Sequence, residues 1–326
     1  ETCAAIANAM WNHRIFLLHE DAKYIDVLER VIYNGFLSGV SRSGDEFFYP
    51  NPLASDGDYQ RSPWFNCACC PTNIVRFMPS IAGYAYAQKA DILYVNLFIG
   101  GSATIKMGKD TVRLKQETCY PWDGDVKITV EPEHPREFAI FIHIPGWAQN
   151  KPVPSDLYYY ANENEQKVTL KVNGRPVGLE MDKGFACIRR KWKKGDVIEL
   201  NLPMPIRRVL SNQKVKDNTG RIAIQRGPVV YCFEGVDNPQ GVANLVLPAD
   251  AELHAEYQAG LLGGVVTIKG QGKIQQRQSC PPSGGQAEGQ TLLNNVEVVA
   301  IPYYAWAHRG KSQMAIWLPS ALENPE

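Results

Sequence analysis

Three cysteines fall within four positions of the stretch WFNCACCPTN (residues 64–73): Cys67, Cys69 and Cys70, the last two adjacent. The chain has only eight cysteines in 326 residues, so this crowding asks for a chemical reason. A disulfide between neighbours is strained, because adjacent Cα atoms sit only about 3.8 Å apart. Metal ligation or thiolate chemistry is the more natural use of such a cluster. The opening ETCA adds Cys3 and Glu1 to the candidates. On a regular helix side chains two residues apart diverge by about 200°. At a helix start, where the first residue is not helical, Glu1 and Cys3 can converge on one ion. Zn²⁺ accepts three thiolates and a carboxylate in a tetrahedron, with Zn–S near ~2.3 Å. The spacing by itself leaves three states open: a closed structural zinc knuckle, a catalytic thiol site, or cysteines that are unligated or disulfide-linked. Cys119, Cys187, Cys232 and Cys280 are widely separated and read as singly buried thiols, with one disulfide among them as the alternative.

The elements that must position these residues are helical. A first helix is expected from Cys3 to about Leu18, with Ile6, Met10 and Trp11 on one face and Ile15 and Leu18 beyond. In DAKYIDVLERVIYNGFL, Tyr24, Val27, Leu28, Val31 and Ile32 recur at helical spacing, with Asp21 as N-cap and Gly35 beyond the last turn. A third helix is expected from near Thr72, carrying Ile74, Val75, Phe77, Met78 and Ile81, with Pro79 inside it, in its first turn or kinking it. The long loop over 40–70 is rich in Gly, Pro, Asp, Asn and Ser, and a loop of that length is usually functional. It delivers the cysteines to a helix start, where free N–H groups and the dipole favour thiolates.

After about residue 90 the pattern becomes short alternating or apolar runs separated by Gly, Pro and Asp, which predicts antiparallel sandwiches. Residues 269–290 are polar and Gly-rich and read as a mobile surface excursion. The 34 basic and 34 acidic residues cancel, so the balance points neither to nucleic acid nor to an anionic membrane surface. No apolar run approaches the twenty or so residues of a spanning helix. The seven Trp, fifteen Tyr and eleven Phe suit β-sandwich cores as well as sugar-stacking surfaces. The chain opens inside a helical pattern with no Met and no signal-like segment, so residue 1 reads as other than the natural start. A soluble protein, cytoplasmic or periplasmic, is expected.

ETCA, NGFLSG (34–39), FFYPNPL (47–53), WFNCACCPTN, PYYAWAHRG (302–310) and WLP (317–319) together resemble glycoside hydrolase family 127, best known for β-L-arabinofuranosidase activity. IPGWA (144–148), WKKGD (192–196), LPMPIR (202–207) and GRIAIQRGPVVYC (220–232) are similar to the same family. The resemblance implies an α+β multidomain chain: the C-terminal part of an (α/α)6 barrel, then two antiparallel β-sandwich domains. It places the barrel portion at 1–90, the first sandwich at 91–207 completed by 297–320, and the second, inserted sandwich at 208–296. It implies Zn²⁺ held by Glu1, Cys3, Cys69 and Cys70, with Cys69 also the nucleophile of a retaining mechanism and Tyr49 in contact with the sugar. Without the family, Tyr49 reads equally as a loop aromatic packed under the cysteines.

The implied partner is an arabinofuranose-containing oligosaccharide or glycan, with a homodimer or a missing N-terminal half as the expected protein partner. The family's general acid/base lies before the ETC motif, so this chain alone is expected to be inactive. His13 and His19 read as ordinary helix residues, and Glu46 and Asp58 as solvated loop charges. Two other readings stand beside the glycosidase. One is a carbohydrate-binding or structural zinc module, the other an inactive homologue that keeps its cysteines for folding.

Overall fold

The computed structural model describes residues 1–277 and 291–321. It is mostly β-sheet, preceded by a short helical region. Helix α1 (Thr2–His19) buries Thr2, Ile6, Ala9, Asn12 and Phe16, a stripe at spacings of three and four. Trp11 does not share that stripe and is 65% exposed. It follows Ile6 by five residues, about 140° round the helix. Helix α2 (Lys23–Arg30) starts where Asp21 accepts the N–H of Lys23 at 3.0 Å, close to its expected capping role. It continues through a π-helical turn (Val31–Phe36) into a 3₁₀ turn (Leu37–Gly39), so Gly35 lies inside the helical run rather than past its end. A Cβ on Gly35 would stand 3.3 Å from that of Ala5, so the glycine lets α1 come close. Helix α3 (Cys69–Phe77) starts three residues before Thr72. It ends at Phe77 and gives way to a 3₁₀ segment (Met78–Tyr84) with Pro79 in its first turn, rather than running on through the proline, which cannot donate the helical hydrogen bond.

The first β-region contains a six-stranded sheet and a five-stranded sheet built from 86–201. Their inner residues, among them Leu93, Val112, Leu114, Ile128, Ile140, Trp192 and Ile198, belong to one core. Its only parallel pair among the described strands joins Ile92–Val95 to Arg136–His143. The second region is an eleven-stranded sheet that also takes in Tyr158–Tyr160 and Ala54–Ser55. The closing strands do not return to the first sandwich as expected. Thr291–Pro302 pairs with Val265–Arg277 and Val229–Glu234, Met314–Ala315 with Val229–Glu234, and Leu318–Pro319 with Arg221–Arg226. Alternation marks a strand but not its partner; the partner is set by which backbone edge is open nearby. Residues 269–277 belong to a strand rather than an excursion, while 278–290, including Cys280, lie outside the described residues.

Helix α2 is where the helical region meets both β-regions. Asp26 Oδ1 accepts from His143 Nε2 and from Gly146 N, both at 2.8 Å, and His143 Nδ1 faces the Asn96 carbonyl at 3.0 Å. Two acceptors on one imidazole favour its doubly protonated form. Burial lowers the His143 pKa, but the bond and charge of Asp26 outweigh it, and the net shift is upward. Buried Glu29 accepts the Tyr120 hydroxyl at 2.6 Å and the Trp147 N–H at 3.1 Å, and burial pushes its carboxyl pKa up. Asn34 reaches the C-terminal region, donating to Pro228 O at 2.9 Å and accepting from Val230 N at 2.8 Å. The IPGWA motif thus buries Trp147 and Gly146 against α2, and GRIAIQRGPVVYC supplies Pro228 and Val230.

Candidate metal-thiolate site

Two helix N-termini converge. Glu1 is the N-cap of α1, outside the helix, which is why its carboxylate can turn towards Cys3 despite the spacing of two. Cys69 and Cys70 are the first two residues of α3. The ligand atoms of Glu1, Cys3, Cys69 and Cys70 all lie within 4.8 Å of one another. Glu1 Oε1 stands 3.5 Å from Cys70 Sγ and 3.8 Å from Cys69 Sγ, and Asn73 Nδ2 is 3.5 Å from Cys3 Sγ. The two neighbouring sulfurs are 3.9 Å apart. Four donors around an ion with bonds near ~2.3 Å define a tetrahedron with edges of about 3.8 Å, so this spacing fits one. Burial pushes the Cys70 thiol pKa up, and contact with Cys3 and Cys69 adds to that. Three thiols and a carboxylate so close together repel one another as anions, and a cation among them reverses that cost. The donor set therefore fits a metal ion.

Tyr49 comes from the long loop. Its Oη lies 2.8 Å from Cys69 Sγ and 3.8 Å from Cys67 Sγ, and these sulfur contacts push the phenol pKa up. Its ring meets Phe65 edge-on at 5.4 Å, so it also packs within the loop. Cys67 is exposed and outside the four-donor group. The loop is tied to α1 by its backbone: Thr2 N donates to Tyr49 O at 3.0 Å and Thr2 Oγ1 to Phe48 O at 2.9 Å. Asn51 Nδ2 donates to Gly35 O at 2.9 Å, and its Oδ1 accepts from Ser38 Oγ at 2.8 Å. Gly39 has no room for a side chain: a Cβ would sit 2.6 Å from Thr2 Cγ2 and 3.3 Å from Ile74 Cδ1.

The sequence reading missed Thr2, Gly39, Asn51 and Arg61, which hold the site through backbone contacts. Thr2 between Glu1 and Cys3, and Asn51 between two prolines, were the available signals. His13 packs edge-on against Tyr84 at 4.6 Å and is not part of the four-donor group; His19 lies exposed at the end of α1. Glu46 and Asp58 are exposed. Of the separated cysteines among the described residues, Cys232 is buried, Cys187 half-buried and Cys119 exposed, so among these three the expectation of buried thiols holds for Cys232. Strand alternation put Cys119 at the end of a run, where the chain turns outward. A second group, Asp110, Glu133 and His134, lies at a hairpin edge, where Asp110 is 3.4 Å from both Arg136 and His134. A cleft of about 740 Å³ opens elsewhere, between the start of α2, Gly146–Asp156 and Tyr158–Tyr159. Among the described residues no helix is long and apolar enough to cross a membrane.

Three family models match the chain in succession. They are the GH127 catalytic domain of β-L-arabinofuranosidase over 1–83, the GH127 middle domain over 92–204, and the glycoside hydrolase family 127 C-terminal domain over 206–319. The last of these covers the strands from Ile206–Ser211 to Leu318–Pro319, the closing strands and their observed partners among them. The non-reducing end β-L-arabinofuranosidase of Bifidobacterium longum subsp. longum is 30% identical over 97% of this chain and 48% of its own length. A solved GH127 β-arabinofuranosidase is 44% identical with a TM-score of 0.94, over 98% of this chain and 49% of that one. A GH127 β-L-arabinofuranosidase from Geobacillus stearothermophilus T6 is 39% identical with a TM-score of 0.87, again over 98% and 49%. The chain spans about half the length of these relatives.

Proposed function

The chain belongs to glycoside hydrolase family 127, and from that premise we propose that it carries the thiolate side of a retaining β-L-arabinofuranosidase site. The observation that supports this best is the placing of half-buried Cys69 within a four-donor group with the Tyr49 phenol 2.8 Å from its sulfur. Under this reading the helices over 2–84 are the closing part of an (α/α)6 barrel. The substrate is an arabinofuranose-containing oligosaccharide.

Glu1, Cys3, Cys69 and Cys70 would hold Zn²⁺. When bound, the ion supplies the positive charge that keeps coordinating thiols deprotonated near neutral pH. The Cys69 sulfur forms a bond to the anomeric carbon as the bond to the leaving oxygen breaks. The leaving oxygen keeps the electron pair and takes a proton from a general acid. Water then attacks the same carbon, the carbon–sulfur bond breaks, sulfur leaves as thiolate, and the water proton goes to the conjugate base of that acid. Two displacements retain configuration. The proposal places the acid in the half of the relatives' length that this chain does not span. Tyr49, on the Cys69 sulfur, contacts the sugar and orients the thiolate.

A closed structural zinc site is the competing reading, favoured by the complete burial of Cys70. The exposure of Cys67 and the half-buried state of Cys69 and Tyr49 favour an open site instead. Metal analysis of reductant-treated, purified protein tests the premise common to both. About one Zn²⁺ per chain is expected. A folded protein with essentially none contradicts the proposal.

A further inference from the structure

The long loop is held from the far end of the sequence. Arg61 is buried, and its Nη1 donates to Trp306 O at 2.7 Å while Nη2 donates to Ser38 O at 2.9 Å and to Tyr304 O at 3.3 Å. Its guanidinium lies 4.3 Å above the Phe48 ring. That ring packs in a triangle with Trp306 and Tyr59, both centroids 5.0 Å from its own and 6.3 Å from each other. Burial lowers the Arg61 pKa to about 10, which still leaves it charged at neutral pH. A buried cation held by carbonyl oxygens and an aromatic face is costly unless all of these are in place.

Behind Arg61 the segment 303–309 is fixed in its turn. Arg309 pairs with Glu234 and Asp237, each at 2.5 Å, and Glu234 Oε1 accepts the Ala307 N–H at 2.8 Å. His308 Nε2 accepts from Arg42 N at 3.1 Å. Burial and the Arg61 charge lower its pKa to about 4, so the imidazole is neutral. Its proton is therefore on Nδ1, which donates to Ala305 O at 2.8 Å. In front of Arg61, Ser62 and Phe47 exchange backbone hydrogen bonds of 2.8 and 2.9 Å. Phe48 N donates to Gly39 O at 2.9 Å, and Phe48 O accepts from Thr2 Oγ1. The next residue is Tyr49.

We propose that Arg61 is a positioning residue of the cysteine site: it transmits the placement of segment 303–309 through Phe48 to the Tyr49 phenol and the Glu1–Cys3 helix start. The C-terminal region is then a working part of the site, although the described residues place none of its side chains among the four donors. The inference rests on the proposed reading only for its consequence in catalysis. Its deciding test does not need that reading, because the alkylation is followed on metal-free protein.

The experiment follows alkylation of individual cysteines by iodoacetamide in the chelator-treated, reduced full chain, with peptide mapping. Arg61→Gln should free Tyr49 and raise the Cys69 rate severalfold, while exposed Cys119, on the first sandwich, reacts as before. Arg61→Lys keeps the cation and one donor and should fall between. It also carries the test if the glutamine variant does not fold. Arg207→Gln removes another buried guanidinium, one that donates to Asn150 Oδ1 at 2.9 Å outside this path, and should leave Cys69 unchanged. Zinc affinity of the Arg61→Gln protein by chelator competition should drop by about 10–100-fold, the usual loss for a supporting partner of a metal site. A Cys69 rate equal to wild type in a folded Arg61 variant overturns the proposal, as does an equal rise in Arg207→Gln. Failure of the wild-type chain to bind zinc would remove the proposed function and leave the alkylation result standing.

Discussion

The first sandwich and the helical segment bury apolar surface in different ways. In the strand Asp110–Thr118, Val112, Leu114 and Gln116 point inward while Arg113, Lys115 and Glu117 face water. The inside is readable from alternation alone, and the strand needs nothing beyond the opposing sheet. Helix α1 has apolar residues on two sides. Ile6, Ala9 and Phe16 are buried, while Trp11, Leu17 and Leu18 are largely exposed, as are Trp64, Val75 and Met78 nearby. The described sandwich fills most of its core from its own two sheets, although Tyr94 and Phe185 are buried against Phe16 of α1, whereas the helical segment has a buried inner face and an exposed apolar outer one. The candidate site lies on the less self-sufficient side. Its geometry depends on what holds that segment to the β-regions.

Hydrogen exchange gives the widest contrast. Amides in the helices over 2–84 should open far more readily than those in the strands over 86–201, since local opening energies run from near zero up to the global value. Uniform protection across both would break the comparison. The next largest effect is expected at Trp306, fully buried and stacked on Phe48. Trp306→Ala should cost about 3–5 kcal/mol by denaturant unfolding. A loss no larger than that of a surface substitution would mean that the C-terminal segment does not brace the loop. Gly39→Ala forces a methyl against Thr2 and should cost about 1–3 kcal/mol. Its zinc affinity should fall with it, because Thr2 carries the start of α1.

A smaller, pH-dependent effect separates the junction from both regions. The folded pKa of His143 is raised above its ordinary 6.5. Its contribution is therefore complete below that value and is lost as pH rises through the folded pKa. Thermal stability should decline over that rise, and Asp26→Asn should flatten the decline. An unchanged slope in that variant would mean that the Asp26–His143 pair is not its source. The smallest effects belong to the uncovered face. Trp11→Gln and Leu18→Gln should stay within about 0.5 kcal/mol of wild type. A larger loss would show that this face has a partner in the intact protein.

What was readable from the sequence follows the same division. The sequence offered Glu1, Cys3, Cys69 and Cys70 as one group only through the motifs around them, and the structure brings these four side chains together. The motif around Tyr49 drew it into the same group, and its phenol lies on the Cys69 sulfur. The strands of the first sandwich declared themselves by alternation. The supports of the site did not, since Thr2, Gly39 and Arg61 act through backbone carbonyls, amide groups and close approach. Such contacts leave no periodic trace. Nor did alternation tell that Thr291–Pro302 would extend the second sheet rather than return to the first, because a strand's pattern does not name its neighbour. Trp11, expected on one face with Ile6 and Met10, lies outward instead, because five residues from Ile6 turn it about 140° round the helix.

The central claim is that Cys69 does the chemistry while the neighbouring Cys67, only 3.8 Å from the same phenol, does not. The direct test compares Cys67→Ser and Cys69→Ser in full-length protein, on an aryl arabinofuranoside whose leaving group needs little protonation. The account predicts near wild-type turnover for Cys67→Ser and none for Cys69→Ser, since a serine hydroxyl at neutral pH is a far poorer nucleophile than a thiolate. Equal loss in both variants, or retained turnover in Cys69→Ser, would contradict it.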